Sequence, residues 1–117
     1  MGLYMSKFRF DGALPDLESV QHEVRRRLGG GGGIESLVAE GQIVVACSML
    51  DPFTHPVVCA ILQERGGQAV GQDGRPVAVS VPAWAHKPIR EMAWRDRMAV
   101  RYRWWSWLFG TARPPRR

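Results

Sequence analysis

Nucleophilic and metal-ligating side chains are few in this chain: two cysteines and three histidines among 117 residues. They come closest together in Cys47-x7-His55-x3-Cys59, with His22 and His86 as remote additional ligands. Structural zinc sites are built from two closely spaced ligand pairs, and no second pair follows here. Catalysis by a Ser or Cys nucleophile needs a histidine that a carboxylate can orient. His22 falls among polar helix positions, His55 precedes Pro56 and His86 precedes Lys87-Pro88, all places suited to capping or surface residues. There is no G-x-S-x-G elbow, and the eleven acids are scattered among polar positions rather than paired. The residues therefore predict no enzyme, no metal, no cofactor and no small-molecule substrate. Cys47 and Cys59 lie in VVACSML and PVVCAIL, where a thiol behaves as a small buried hydrophobe.

A second chemistry is carried by the run Lys87 to Phe109, KPIREMAWRDRMAVRYRWWSWLF, which holds four of the five tryptophans with arginines threaded between them. The formal charge of +5 divides unevenly: from Lys87 onward nine Lys/Arg face Glu91 and Asp96, a net +7, which leaves −2 for residues 1–86. A basic segment on a mildly acidic body steers toward an anionic partner. Pro88 suits a first helical turn, and neither Gly nor Pro recurs until Gly110, so the run predicts one long helix.

At 100° per residue that helix has two apolar faces. Ile89, Met92, Ala93, Val100, Trp104 and Trp107 form one, interrupted by Asp96; Trp94, Met98, Tyr102, Trp105 and Phe109 form the other. Arg90, Arg97 and Arg101 line one flank between them, and Arg95 and Arg103 the opposite flank. One apolar face docks a helix on its own domain; a second requires further cover. Burying three of its four aromatics and the methionine would contribute on the order of 6 to 10 kcal/mol before ordering costs.

Enclosure within the monomer, with arginines stacked on indoles, would explain the second face. Association with a protein partner, or with a second copy, explains it better, because Trp, Tyr, Met and Arg are the types enriched in interface cores. The expected contact set is Trp94, Met98, Tyr102, Trp105, Phe109, Arg90, Arg97 and Arg101. The alternative is a nucleic-acid-binding accessory protein, with arginine on phosphate and tryptophan on bases. A membrane surface is disfavoured, since an interfacial helix has one polar face.

The elements that must position this helix read as follows. Residues 4–10 alternate as a strand, with Tyr4, Phe8 and Phe10 on one side. Pro15 or Asp16 opens a helix whose buried face is Leu17, Val20, Val24 and Leu28, and Arg25-Arg26-Arg27 complement the dipole in its last turn. Gly29 to Gly33 lacks the preceding strand and following helix of a phosphate loop, and reads as a helix cap running into a connector. Residues 34–39 and 43–50 predict a hairpin turning at 40–42, the second strand central because both its faces are apolar. Residues 53–62 fit a helix closed by Gly66-Gly67, although VVCAIL alone would also serve as a buried strand. Residues 68–71 and 76–81 flank Asp73-Gly74 as a second hairpin.

This succession predicts an α+β protein, a ferredoxin-like split βαβ sandwich: an antiparallel sheet with two helices on one face, plus the long C-terminal amphipathic helix. The organisation is a body over 1–86, the Arg/Trp helix over 87–110 and a basic flexible tail over 111–117. An RNA-recognition motif on that scaffold would stack bases on aromatics of its third strand, and IVVACSML offers neither an aromatic nor a cation. With no span of about eighteen apolar residues, no apolar leader and only two cysteines, the expected location is the cytoplasm.

Overall fold

The computed structural model describes residues 3–30, 34–39, 41–48 and 51–109. Strand β1 (Leu3–Arg9) leads into helix α1 (Leu17–Leu28), then β2 (Ile34–Ala39), β3 (Gln42–Ser48), helix α2 (Thr54–Glu64) and the short β4 (Gln68–Val70). Two single-turn 3-10 segments follow at Ala83–His86 and Ile89–Glu91, and helix α3 (Trp94–Phe109) comes last. The protein is thus α+β, its sheet ordered β2-β3-β1-β4 with every neighbouring pair antiparallel.

Register follows from side-chain alternation. Phe8 pairs with Ile43 and Ser6 with Val45, so Phe8, Ile43, Val45 and Cys47 share the face that is buried. Lys7 and Arg9 project from the other face, where Met5 is 68% exposed. A one-residue slip would exchange the two sets, so burial of one face pins the pairing. Against the buried face pack Val20 and Val24 of α1 and Val57, Val58, Ile61 and Leu62 of α2. β3 is internal, as its two apolar faces predict.

Local chemistry sets the helix ends. Asp16 caps α1, its Oδ1 accepting from Glu18 N at 3.3 Å. Gly29 closes it at φ 76°, a conformation glycine adopts without strain. Asp51 holds the start of α2, accepting from Phe53 N and from Thr54 Oγ1, both at 2.8 Å. VVCAIL is helical, not a strand, because Asp51 opens and Gly66-Gly67 ends a continuous 3.6-residue pattern. At Gly67 an added Cβ would lie 2.7 Å from Phe10 Cζ and 2.8 Å from Leu62 O, so only glycine lets the chain turn from α2 into β4.

Two expectations are corrected and one is extended. Residues 76–81 form no strand; one bridge, Val70 to Pro76, one backbone bond, Val77 N to Ala69 O at 2.9 Å, and one side-chain bond, Gln68 Nε2 to Val77 O at 3.5 Å, join them to β4. The bonds flanking that bridge run from Val77 N to Ala69 O and from Gly71 N to Arg75 O, so Pro76 sits at a non-hydrogen-bonded position and the pairing ends after Val77, where no further backbone bond to β4 forms among the described residues. Secondly, Arg27 lies in the last turn of α1 as expected but does more than complement the dipole, being only 7% exposed. Its Nε donates to Glu23 Oε2 at 2.8 Å, Nη2 and Nη1 donate to the two Glu64 oxygens at 2.6 and 2.9 Å, and Nη1 also reaches Ala85 O at 3.2 Å. Thirdly, the C-terminal helix begins at Trp94 rather than near Pro88, and residues 87–93 approach it through a 3-10 turn and extended backbone at Met92. The tail at 111–117 lies outside the described residues.

Candidate functional site

The late start of α3 removes Ile89, Met92 and Ala93 from the first apolar face predicted for it. Of that face, Val100 and Trp104 are half-buried, whereas Trp107 is 57% exposed. Val100, Trp104 and Trp107 meet Pro52, His55 and Pro56 at the start of α2, around a gap of about 280 Å³. Docking on the body is therefore narrow.

The second face is laid open along the helix. Trp94 is 75% exposed, Met98 44%, Tyr102 36% and Trp105 52%. With a rise of about 1.5 Å per residue, this stripe runs roughly 16 Å from Trp94 to Trp105. Trp94, Met98, Tyr102 and Trp105 wall a concavity of about 480 Å³, with Ala99 supplying the small residue among them and Arg95 and Arg101 also lining it. Phe109 ends the helix, and its side chain lies outside the described residues.

The predicted arginine flank is not brought together on that face. Arg90 sits in the Ile89–Glu91 turn, before α3 begins. Arg97 faces back toward that turn, with Nη2 donating to Ile89 O at 3.2 Å and to Met92 O at 3.5 Å. Arg101 reaches toward the body, its guanidinium carbon 5.4 Å from the centroid of the Phe53 ring. Phe53 in turn meets Trp84 edge-on, the centroids 5.6 Å apart. Among the described residues, no ion pair joins an α3 arginine to a carboxylate, and with Asp96 as the helix's acid its net charge is +3.

A histidine and two cysteines form the other polar constellation, inside the body. His55 is half-buried at the edge of the body: its Nε2 lies 2.9 Å from Ser6 Oγ and 3.5 Å from Cys59 Sγ. The i, i+4 spacing of His55 and Cys59 on α2 was the available sequence signal; Ser6 arrives from β1 through the fold. Burial holds the imidazole below its ordinary pKa. Burial also pushes the Cys47 thiol up to about 12 and the Cys59 thiol up to about 11. The thiolate is the reactive form, so neither sulfur is an activated nucleophile at neutral pH. Among the described residues no group of three His, Cys, Asp or Glu side chains is arranged to hold a metal ion.

Arg27 was legible in principle, since Val20, Val24 and Arg27 share one helical face at i, i+4 and i+7. Its role is to tie α1, α2 and the Ala83–His86 turn together. Glu64, the shared acceptor, also meets His86 Nδ1 at 2.6 Å. That turn carries the chain toward α3, so the network fixes where the helix is launched. Comparison with protein-family models, with curated proteins and with solved structures found no match to this chain.

Proposed function

We propose that this protein is a non-catalytic interaction module that binds a protein partner through the outer face of α3. The observation that carries this reading is the exposure of Trp94, Met98, Tyr102 and Trp105 along one stripe around a single concavity. A stripe with small Ala99 among large aromatics fits a hole for an aliphatic or aromatic knob from another helix. Flat stacking on bases would use the indoles and leave Met98 and Ala99 without a role.

The charge of α3 favours a partner other than a second copy. Two such helices would bring Arg95 and Arg101 of each against the other's, whereas an acidic amphipathic segment would neutralise them. The body beneath is, on this proposal, a ferredoxin-like split βαβ acting as a rigid mount, a reading supported by the order β2-β3-β1-β4. Among the described residues, no helix is long and apolar enough to cross a membrane. A cytoplasmic adaptor role is consistent with the two inert thiols.

A photo-crosslinking amino acid at position 98, compared with one at position 5 on the open sheet face, tests the assignment. The cross-linked partner, purified and titrated, is expected to lose more than about tenfold in affinity when Trp94 and Trp105 are both changed to alanine. Light scattering that shows a stable dimer, abolished by Trp105→Ala, would replace this reading with self-association. Binding of a single-stranded oligonucleotide that falls steeply with salt, and depends more on Arg95 and Arg103 than on Trp105, would replace it with the nucleic-acid alternative.

A further inference from the structure

We propose that the cleft between the start of α2, the Ile89–Glu91 turn and α3 is a binding site for a small phosphate monoester, with Arg97 and Arg101 as its phosphate ligands. This cleft lies on the body side of α3, away from the stripe of Trp94, Met98 and Trp105. It encloses about 450 Å³ and is lined by both arginines together with Leu28, Phe53, Ile89 and Asp51. The partner-binding reading uses the outer face; Arg101 borders both cavities, whereas Arg97 belongs to this cleft and not to the outer concavity.

Both guanidinium groups are held in advance. Arg97 donates from Nη2 to Ile89 O at 3.2 Å and to Met92 O at 3.5 Å. Arg101 lies over the Phe53 ring. A planar cation stacked on a ring or tied to carbonyls loses little further freedom when it binds an anion. The two residues are four apart on α3, which sets them side by side on one helical face.

Their chemistry selects among anions. A carboxylate has two oxygens and one charge, which a single guanidinium satisfies as a fork. Two adjacent guanidinium groups suit the three terminal oxygens and near-double charge of a phosphate monoester. Asp51 also faces the cleft; its bonds from Phe53 N and Thr54 Oγ1 come from neutral donors, so two arginines against one carboxylate leave the lining a net +1. A phosphate group alone would leave much of the 450 Å³ unfilled. Leu28, Phe53 and Ile89 supply an apolar wall for an organic group, so the expected ligand is a monoester with a compact apolar or planar substituent.

Calorimetric titration of the full chain with phenyl phosphate, in a phosphate-free buffer, tests this. The expected result is saturable 1:1 binding, stronger than that of inorganic phosphate or benzoate. Arg97→Gln and Arg101→Gln should each weaken it by about tenfold or more, while Arg95→Gln on the same helix, and the Trp94→Ala/Trp105→Ala double variant, leave it unchanged. Circular dichroism of each variant separates lost binding from lost fold, and Arg101, the more exposed of the pair, is the safer substitution. The proposal is overturned if phenyl phosphate shows no saturable heat up to about 10 mM, a range that already includes very weak sites. It is also overturned if binding survives in the Arg97→Gln/Arg101→Gln double variant, or if Arg95→Gln weakens it equally, which would mean diffuse attraction to a basic helix.

Discussion

The body and α3 handle the same residue types in opposite ways. In the body Arg27 is 7% exposed and bonded to two carboxylates and a carbonyl, and the large apolar side chains Phe8, Ile43, Ile61 and Leu62 are sealed. In α3 the large apolar side chains Trp94, Trp105 and Trp107 are more than half exposed, and the arginines face carbonyls, a ring or solvent. The difference teaches where each region's free energy resides. The body gains from enclosure, whereas much of the apolar area of α3 is in contact with water. A core is held in shape by its packing density, a constraint that an exposed stripe lacks.

Core substitution should separate the two regions most sharply. Leu62→Ala removes a fully buried side chain between α2 and the sheet and is expected to cost about 3 kcal/mol in chemical denaturation. A loss below about 1 kcal/mol would show that the body is no better packed than α3. Next in size is Arg27→Met, which removes the hub of the Glu23, Glu64 and Ala85 contacts. Glu64 is partly solvated and relaxes into water, so the expected loss is about 2 kcal/mol rather than the larger cost of a fully buried orphan charge.

Acid titration sharpens the same contrast. Hydrogen bonds from Arg26 hold Glu23 down to about 2, and bonds from Arg27 hold Glu64 below the usual carboxylate range. A depressed carboxylate stabilises the folded state above its unfolded pKa and loses that contribution as pH falls through the folded value. Stability is therefore expected to decline between about pH 4.5 and 2, read from urea midpoints, and Arg27→Met should flatten that slope. His55, depressed by burial, adds an earlier decline as pH falls below about 6.5, because the unfolded chain takes up its proton first. A His55→Gln variant lacking that early phase would identify its source. The smallest effect belongs to α3: Trp94→Ala should shift stability by less than about 0.5 kcal/mol. A larger loss would mean that the stripe already contributes to the monomer.

Much of the body was legible because its signals are local. Asp16, the α1 periodicity and Gly29 define one helix; alternation in β1 and the apolar faces of β3 define two strands. The second arm after Asp73-Gly74 departs from expectation because a turn signal reports the reversal, not how far the pairing beyond it extends; here it ends at Val77. The start of α3 was misread for a related reason. Pro88 is compatible with a helical first turn but equally with the 3-10 turn it begins, and the backbone at Met92 is extended before the α-helix starts. Of the proposed contact residues, Trp94, Met98, Tyr102 and Trp105 share a face, as their spacing requires, whereas Arg90 lies off the helix and Arg97 and Arg101 turn toward the body.

By itself the sequence determined which residues alternate, which share a helical face and where charge accumulates, because these depend on fixed periods of 3.6 and 2 residues and on covalent order. Only the tertiary structure decided which face meets which surface. It brought Ser6 to His55 across 49 residues and Arg27 to Glu64 across 37, and it turned Arg101 onto Phe53. Such pairings depend on how α1, α2 and the sheet exclude water together, a property of the packed whole that no local pattern contains.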